Sequence, residues 1–308
     1  MDETAMKQCN RLLITGASGF TGQHACVHFA RAGFAVTAAA RKTAYTNDQV
    51  QVEYCNLTNY NAVKQLVQKA KPNYLLHLAG QNHVGQSRLD PVSSFEANSL
   101  STLYLLEALR HENPSCKIVV AGSALQFNPN DISTLEHPYS LSKTVQVLIA
   151  QAWAALYNMH IVIAIPSNLI GPGFSNGVCA IFAQKITDME EHKTEKILEV
   201  HNVNAQRDFI DVRDAVHAYE ILLTKGKSGE TYEIASGKSR SLAEIACEFK
   251  KIATVDFQIK SEKNGQVEQS VNMRPLKLMC LGWKPAIPLS ASLTDILNFY
   301  RSMKTKRE

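Results

Sequence analysis

Tyr139 and Lys143 stand four residues apart in Tyr139-Ser140-Leu141-Ser142-Lys143, at the opening of the most strongly periodic helical stretch of the chain. Positions i and i+4 share a helix face, which sets a phenol beside an ammonium. The ammonium favours the ionised phenol and is expected to lower its pKa from about 10, making it a proton donor and acceptor near neutrality. Ser123 closes the preceding apolar run, residues 117–123. A hydroxyl at the C-terminal edge of a sheet strand can hydrogen-bond a reacting carbonyl oxygen opposite the phenol. Ser123, Tyr139 and Lys143 are therefore the candidate catalytic set, suited to proton transfer at a carbonyl or alcohol oxygen.

A second chemical feature lies near the start, in Thr15-Gly16-Ala17-Ser18-Gly19-Phe20-Thr21-Gly22-Gln23. Glycines 16, 19 and 22 fall between an apolar run and a helical pattern. Gly16 permits a tight turn, Gly19 lets backbone N–H groups approach a pyrophosphate, and Gly22 allows close helix–strand packing. The helix that follows offers free N–H donors and a partial positive charge to phosphates. The loop reads as a dinucleotide site contributed by Gly16, Ser18, Gly19, Phe20, Thr21 and Gly22. At the end of the second apolar run stand Arg41 and Lys42. A carboxylate there would accept from the adenosine ribose, whereas cations attract a 2′-phosphate. NADP(H) is the preferred cofactor, with NAD(H) as the alternative.

These residues need a frame that sets strand ends side by side. Apolar runs at 11–17, 34–41, 50–57, 74–80, 117–123 and 160–168 read as strands, several buried on both faces as in a parallel sheet. Helical patterns lie between them at 20–32, 61–69, 99–109 and 141–156. Such alternation predicts an α/β fold with a doubly wound parallel sheet. Beyond Gly171 the pattern changes. Strands are expected at 199–203 and 231–235, helices at 242–251 and 293–300, and an exposed charged helix at 188–196. The expected organisation is a dinucleotide-binding domain over 1–168 with a return segment near 207–235. A smaller, partly interleaved substrate lobe would occupy 169–308.

The 308 residues are 45% apolar and 19% charged, with a net charge of +4. So small a charge argues against a nucleic-acid partner, and the basic tail Lys304-Thr305-Lys306-Arg307 reads as a solvated end. No apolar run is long enough to span a bilayer, and Met1-Asp2-Glu3-Thr4-Ala5-Met6-Lys7 lacks the apolar core of a signal peptide. A cytoplasmic enzyme is expected. Seven scattered cysteines, with no Cys-x-x-Cys pair, suit free thiols rather than a disulfide frame or zinc site. Cys179 is expected as an inert thiol in a loop near the substrate. His24 and His28, one helical turn apart, have no evident third ligand, and no metal site is assigned.

Several features recur in order: Gly16-x-x-Gly19-x-x-Gly22, His77-Leu78-Ala79-Gly80, Asn98, Ser123, Tyr139-x-x-x-Lys143, Pro166-Ser167-Asn168 and Arg207-Asp208-Phe209-Ile210-Asp211-Val212-Arg213-Asp214. In this order the chain resembles the extended short-chain dehydrogenase/reductase family, also described as NAD-dependent epimerases and dehydratases, along nearly its whole length. The resemblance implies a Rossmann sheet, Tyr139 as acid/base, Lys143 on the nicotinamide ribose and Ser123 orienting the substrate. It adds Asn56, Leu57, Leu78, Ala79, Gly80, Asn98 and Pro166 to the cofactor contacts. It implies Asn168, Arg207 and Arg274 as contacts to a nucleotide sugar, and dimerisation through the helices at 99–109 and 141–156. His83, after the fourth strand, is a further candidate for the sugar.

The stretches Asn168-Leu169-Ile170-Gly171-Pro172-Gly173, Arg207-Asp208-Phe209 and Gly282-Trp283-Lys284-Pro285 most resemble the branch that reduces GDP-4-keto-6-deoxy-D-mannose to GDP-D-rhamnose and its neighbours among GDP-mannose dehydratases. A dehydratase of this family needs a carboxylate two residues after the serine, and here that position is Leu125. Leucine transfers no protons, so hydride transfer to a 4-keto group is preferred over dehydration. Two alternatives stay open: a nucleotide-sugar epimerase with tightly held NAD, and a non-catalytic dinucleotide sensor, a class that commonly lacks the tyrosine or lysine.

Overall fold

The structure is a computed structural model that describes residues 10–41, 46–261 and 272–305. Lys42, Cys9, residues 1–7 and the last residues of the basic tail lie outside the described residues.

The chain opens with β1 (Arg11–Thr15), α1 (Phe20–Arg31), β2 (Ala35–Ala40), β3 (Gln51–Tyr54), α2 (Tyr60–Ala70) and β4 (Tyr74–His77). Two short helices, α3 (Val84–Leu89) and α4 (Pro91–Phe95), lead through a π-helical turn (Glu96–Leu100) into α5 (Ser101–Glu112). β5 (Lys117–Ala121), α6 (Pro138–Tyr157) and β6 (Ile161–Pro166) follow. Next come β7 (Asn168–Ile170), α7 (Val178–Glu190), β8 (Ile197–Val200), β9 (Gln206–Asp211), α8 (Val212–Lys225) and β10 (Thr231–Ile234). The last elements are β11 (Ser239–Ser241), α9 (Leu242–Ile252), β12 (Gln258–Ser261), α10 (Leu276–Met279) and α11 (Leu289–Thr305).

Seven strands form one sheet in the order β10-β6-β5-β4-β1-β2-β3, with parallel pairing from β6 across to β3. The doubly wound parallel sheet is thus present. Leu12, Leu13 and Ile14 of β1 are all buried because helices cover both faces of the central strands. On one face, Val63, Leu66 and Val67 of α2 pack with Leu105, Leu106 and Leu109 of α5 and Val147 and Ala150 of α6. The strand order reverses between β1 and β4. In open α/β sheets the crevice at such a switch point, at the carboxyl ends of the strands, is where ligands bind.

The chain divides into two compact units, one of residues 1–165 and 219–232, the other of 166–218 and 233–308. The segment returning to the first unit is shorter than the 207–235 expected, and residues 207–218 group with the second unit. The second unit holds a three-stranded sheet, β11-β9-β7, and a parallel pair, β12-β8. Its core joins Phe182 and Ile186 of α7, Phe249 of α9, and Leu293, Leu297 and Tyr300 of α11. Ser241 and Glu244 close a reciprocal capping box at the start of α9.

Several sequence expectations shift here. The charged helix expected over 188–196 is instead the end of α7 and the turn after it. Cys179, Ala180, Phe182, Ala183, Ile186 and Met189 supply a buried stripe earlier in the sequence. The charges serve as anchors: Glu190 pairs with Arg301 at 2.6 Å, and Asp188 and Glu191 receive Lys304. Cys179 is not in a loop but buried in the first turn of α7, where burial pushes its thiol up to about 12. The strand expected at 199–203 sits slightly earlier, as β8. α6 begins at Pro138 rather than Leu141: proline suits the first helical position, and His137 caps it by accepting from the Ser140 N–H at 3.0 Å.

Candidate active site

Three neighbouring pieces of the first unit build the site: the end of β5, the opening of α6, and the loops that leave β1 and β4. β5 ends at Ala121, so Ser123 lies two residues beyond the strand rather than closing it. Its hydroxyl accepts from the Leu125 N–H at 3.1 Å and from the phenol of Tyr139 at 3.2 Å. Tyr139 is held at its backbone, where its N–H donates to Ser87 Oγ at 3.1 Å. Ser123, Tyr139 and Lys143 are all buried.

The electrostatics reverse one expectation. The Tyr139 phenol is raised above its ordinary value, because burial outweighs the stabilising hydrogen bond with Ser123. Burial likewise works against the charge on Lys143 and lowers its pKa to about 7. In the free protein, desolvation of the phenol wins over any help from the ammonium. A raised phenol pKa keeps the proton on Tyr139 at neutrality, which suits a proton donor.

The glycine loop has the geometry of a phosphate cradle. Gly16 adopts φ +71°, and a Cβ there would lie 2.7 Å from the backbone nitrogen of Ala79. At Gly22 a Cβ would lie 2.1 Å from the carbonyl oxygen of Gly16. Both positions therefore exclude a side chain. α1 is preceded by Gly19 at its N-cap, with no side-chain cap and no acidic residue in its first turn. Its first N–H donors thus have no side-chain acceptor and no competing carboxylate. Such a turn fits a dinucleotide pyrophosphate, with Ser18, Phe20 and Thr21 around it.

The other assigned cofactor residues occupy strand ends. Leu78, Ala79 and Gly80 leave β4 directly against the glycine turn. Arg41 is exposed just past the end of β2. Asn56, after β3, makes an Asx turn, its Oδ1 accepting from the Thr58 N–H at 3.2 Å, with Leu57 half-buried beside it. Asn98 is fully buried, and its amide is spent inside the protein. It donates to Gln81 O at 3.0 Å and Ser142 Oγ at 2.8 Å, and accepts from Gln81 N–H at 2.8 Å. It shapes the loop after β4 against α6. His83 caps α3 by accepting from the Gln86 N–H at 3.0 Å and is exposed.

The second unit holds the remaining assigned residues. Pro166 and Asn168 lie at the β6–β7 junction, and Asn168 donates to the carbonyl of Asp208 at 2.9 Å. The Asp208 carboxylate is buried and accepts from Ser167 Oγ at 2.7 Å and from Ser236 and Lys238 N–H. It ties the Pro166-Ser167-Asn168 turn to β9, whose Arg207 is half-buried. Arg274 is exposed and its N–H donates to the Glu233 carboxylate at 2.7 Å. Trp283 is buried, its indole donating to Asp214 O at 3.0 Å, so the Gly282-Trp283 stretch has a structural role. Among the described residues no group of three His, Cys, Asp or Glu could hold a metal, and His28 pairs with Glu220.

Sequence reasoning gave no role to the polar residues beneath the site. His77, fully buried, contacts Thr15 Oγ1 at 2.7 Å and Thr102 Oγ1 at 2.8 Å. Lys143 donates to Ala121 O at 2.7 Å and also to Gln146 Oε1. The available signal was polar residues, Thr102 and Gln146, at positions that helical periodicity turns inward.

The NAD dependent epimerase/dehydratase family matches residues 12–235. GDP-6-deoxy-D-mannose reductase of Pseudomonas aeruginosa is 30% identical over 307 residues, covering 95% of this chain and 97% of the relative. Human dTDP-D-glucose 4,6-dehydratase is 24% identical, covering 94% of this chain and 90% of the relative. The structure of RMD from Pseudomonas aeruginosa complexed with NADPH superposes with a TM-score of 0.83 at 28% identity, covering 96% of this chain and 99% of that one. UDP-glucose 4-epimerase of Thermotoga maritima shares the fold, with a TM-score of 0.82 at 21% identity and coverage of 95% and 99%. The chain belongs to the NAD dependent epimerase/dehydratase family and is an NAD(P)-dependent oxidoreductase of the extended short-chain dehydrogenase/reductase type.

Proposed function

We propose that this chain reduces a nucleotide-linked 4-keto-6-deoxy sugar with NADPH, as in the conversion of GDP-4-keto-6-deoxy-D-mannose to GDP-D-rhamnose. The observation that carries the reading is the 3.2 Å hydrogen bond between the Tyr139 phenol and Ser123, one helical turn from a buried Lys143. Two hydroxyls that meet this way can jointly receive one carbonyl oxygen. NADPH supplies the hydride when bound. Ser123 orients the carbonyl oxygen, and Tyr139 donates its proton as negative charge develops there. Lys143 holds the ribose and stabilises the phenolate left behind. Reacting carbons must come within about 3–3.5 Å.

Leu125 supports reduction over dehydration: its side chain is half exposed to solvent and has no ionisable group to take up or give a proton. Arg41 supports NADPH through its charge at the end of β2. The second unit is proposed as the substrate lobe, with Asn168, Arg207 and Arg274 as its contacts to the nucleotide sugar, and His83 is kept as a candidate sugar contact in its own unit. Among the described residues no helix is long and apolar enough to cross a membrane. Leu148 and Leu156 stand exposed on α6, which supports a homodimer through that helix. The six described cysteines form no disulfide, which supports a cytoplasmic setting.

A panel of nucleotide 4-keto-6-deoxy sugars assayed with NADPH and NADH tests the reading. Stoichiometric loss of NADPH absorbance is expected with at least one of them. Tightly bound NAD after purification, with no net cofactor consumption, would identify an epimerase instead.

A further inference from the structure

Beneath the site runs a chain of hydrogen bonds in which every proton can be placed. Thr102 Oγ1 donates to Asn98 O at 2.7 Å, so it must accept at its other contacts. Those contacts are Gln146 Nε2 at 2.9 Å and His77 Nε2 at 2.8 Å. The imidazole is therefore protonated at Nε2, and its Nδ1 accepts from Thr15 Oγ1 at 2.7 Å. Thr15 in turn accepts from the Ala79 N–H at 3.3 Å. With its NH2 committed to Thr102, the Gln146 amide has one orientation left, and its oxygen faces Lys143. A lysine ammonium has three N–H donors. Ala121 O and Gln146 Oε1 take two of them, which leaves one for a ligand.

We infer that Gln146 is a positioning residue that keeps Lys143 charged and aimed, and that Thr102 and His77 lock its amide with the oxygen toward the lysine. The inference rests on the reading of Tyr139 and Lys143 proposed above. An acceptor on the ammonium favours the charged form, whereas a flipped amide would present its NH2 to a cation and expel the proton. Burial opposes the charge of Lys143, so the acceptors decide how much of it survives at neutrality. The groups around Lys143 leave this role to Gln146. β4 presents His77, held neutral with its pKa lowered to about 3 by burial and by the lysine itself. β5 presents the Ala121 carbonyl, and α6 carries the phenol of Tyr139 one turn earlier. No carboxylate among the described residues contributes to the Lys143 shift.

The test is the titration of Lys143 in the full chain without substrate, followed by NMR of isotope-labelled lysine side chains and assigned by Lys143→Met. The wild-type midpoint is expected at about 7. In Gln146→Leu it should fall by about one pH unit, and in Gln146→Glu it should rise by at least as much. Thr102→Val should shift it in the direction of Gln146→Leu. A residue that only filled space would lower the melting temperature without moving the midpoint in opposite directions. Midpoints for Gln146→Leu and Gln146→Glu equal to wild type would overturn the inference, and should Gln146→Leu not fold, Gln146→Glu alone decides. The upper limb of the pH–rate profile should move with each midpoint. Failure of the reductase reading would appear separately, as no turnover on any keto sugar while the lysine titration still responds.

Discussion

Gly16 and Ala79 are in backbone contact: a Cβ at residue 16 would sit 2.7 Å from the nitrogen and 2.8 Å from the Cα of residue 79. Residue 16 opens the turn after β1, and residue 79 leaves β4, so the contact closes the switch point of the sheet. Gly16→Ala therefore meets both a backbone clash and a left-handed φ of +71°. We expect a loss of about 1–3 kcal/mol of stability. NADPH affinity should fall more steeply than stability, because the displaced turn carries the N–H donors. Thermal melts and quenching of NADPH fluorescence check the two effects.

Tyr139→Phe deletes the one proton donor, among the described residues, that meets Ser123 Oγ besides the Leu125 amide. Turnover should drop at least about a hundredfold. Cofactor affinity should stay near wild type, since the glycine turn and Lys143 are untouched. Retained turnover in the variant would remove Tyr139 from its role.

His77 gives the fold an acid-sensitive point. Its pKa falls from 6.5 to about 3 on burial. Between those values the unfolded chain binds the proton and the folded one does not, so stability is lost as pH falls through that window and is fully present above 6.5. His77→Gln should be less stable at neutral pH yet lose less on acidification. Melting curves of both proteins between pH 7 and about 4 measure the difference. Parallel curves would mean that His77 is not neutral in the folded state.

Trp283 anchors the second unit. Its side chain is among the largest fully buried ones, and its indole N–H is paired with Asp214 O. Trp283→Ala should cost about 3–5 kcal/mol. Urea unfolding reads the cost directly. Trp283→Phe should recover most of the packing and lose only the hydrogen bond.

Residue order alone carried the fold class, because a buried parallel strand is a run of apolar residues and an amphipathic helix is a period, and both are local properties. The apolar runs at 11–17 and 117–123 and the period of α6 made the doubly wound sheet legible, and with it Gly16, Ser123, Tyr139 and Lys143. What burial does to charge was not legible. An adjacent ammonium reads on paper as a device that acidifies Tyr139, yet removal of water raises the phenol and depresses Lys143 instead. Nor could spacing show that Asn98 spends its amide on Gln81 and Ser142, or that Thr15, His77, Thr102 and Gln146 form one chain. Those partners come from β1, β4, α5 and α6, and a hydrogen bond depends on positions in space that only the packed sheet and helices bring within 3 Å or so.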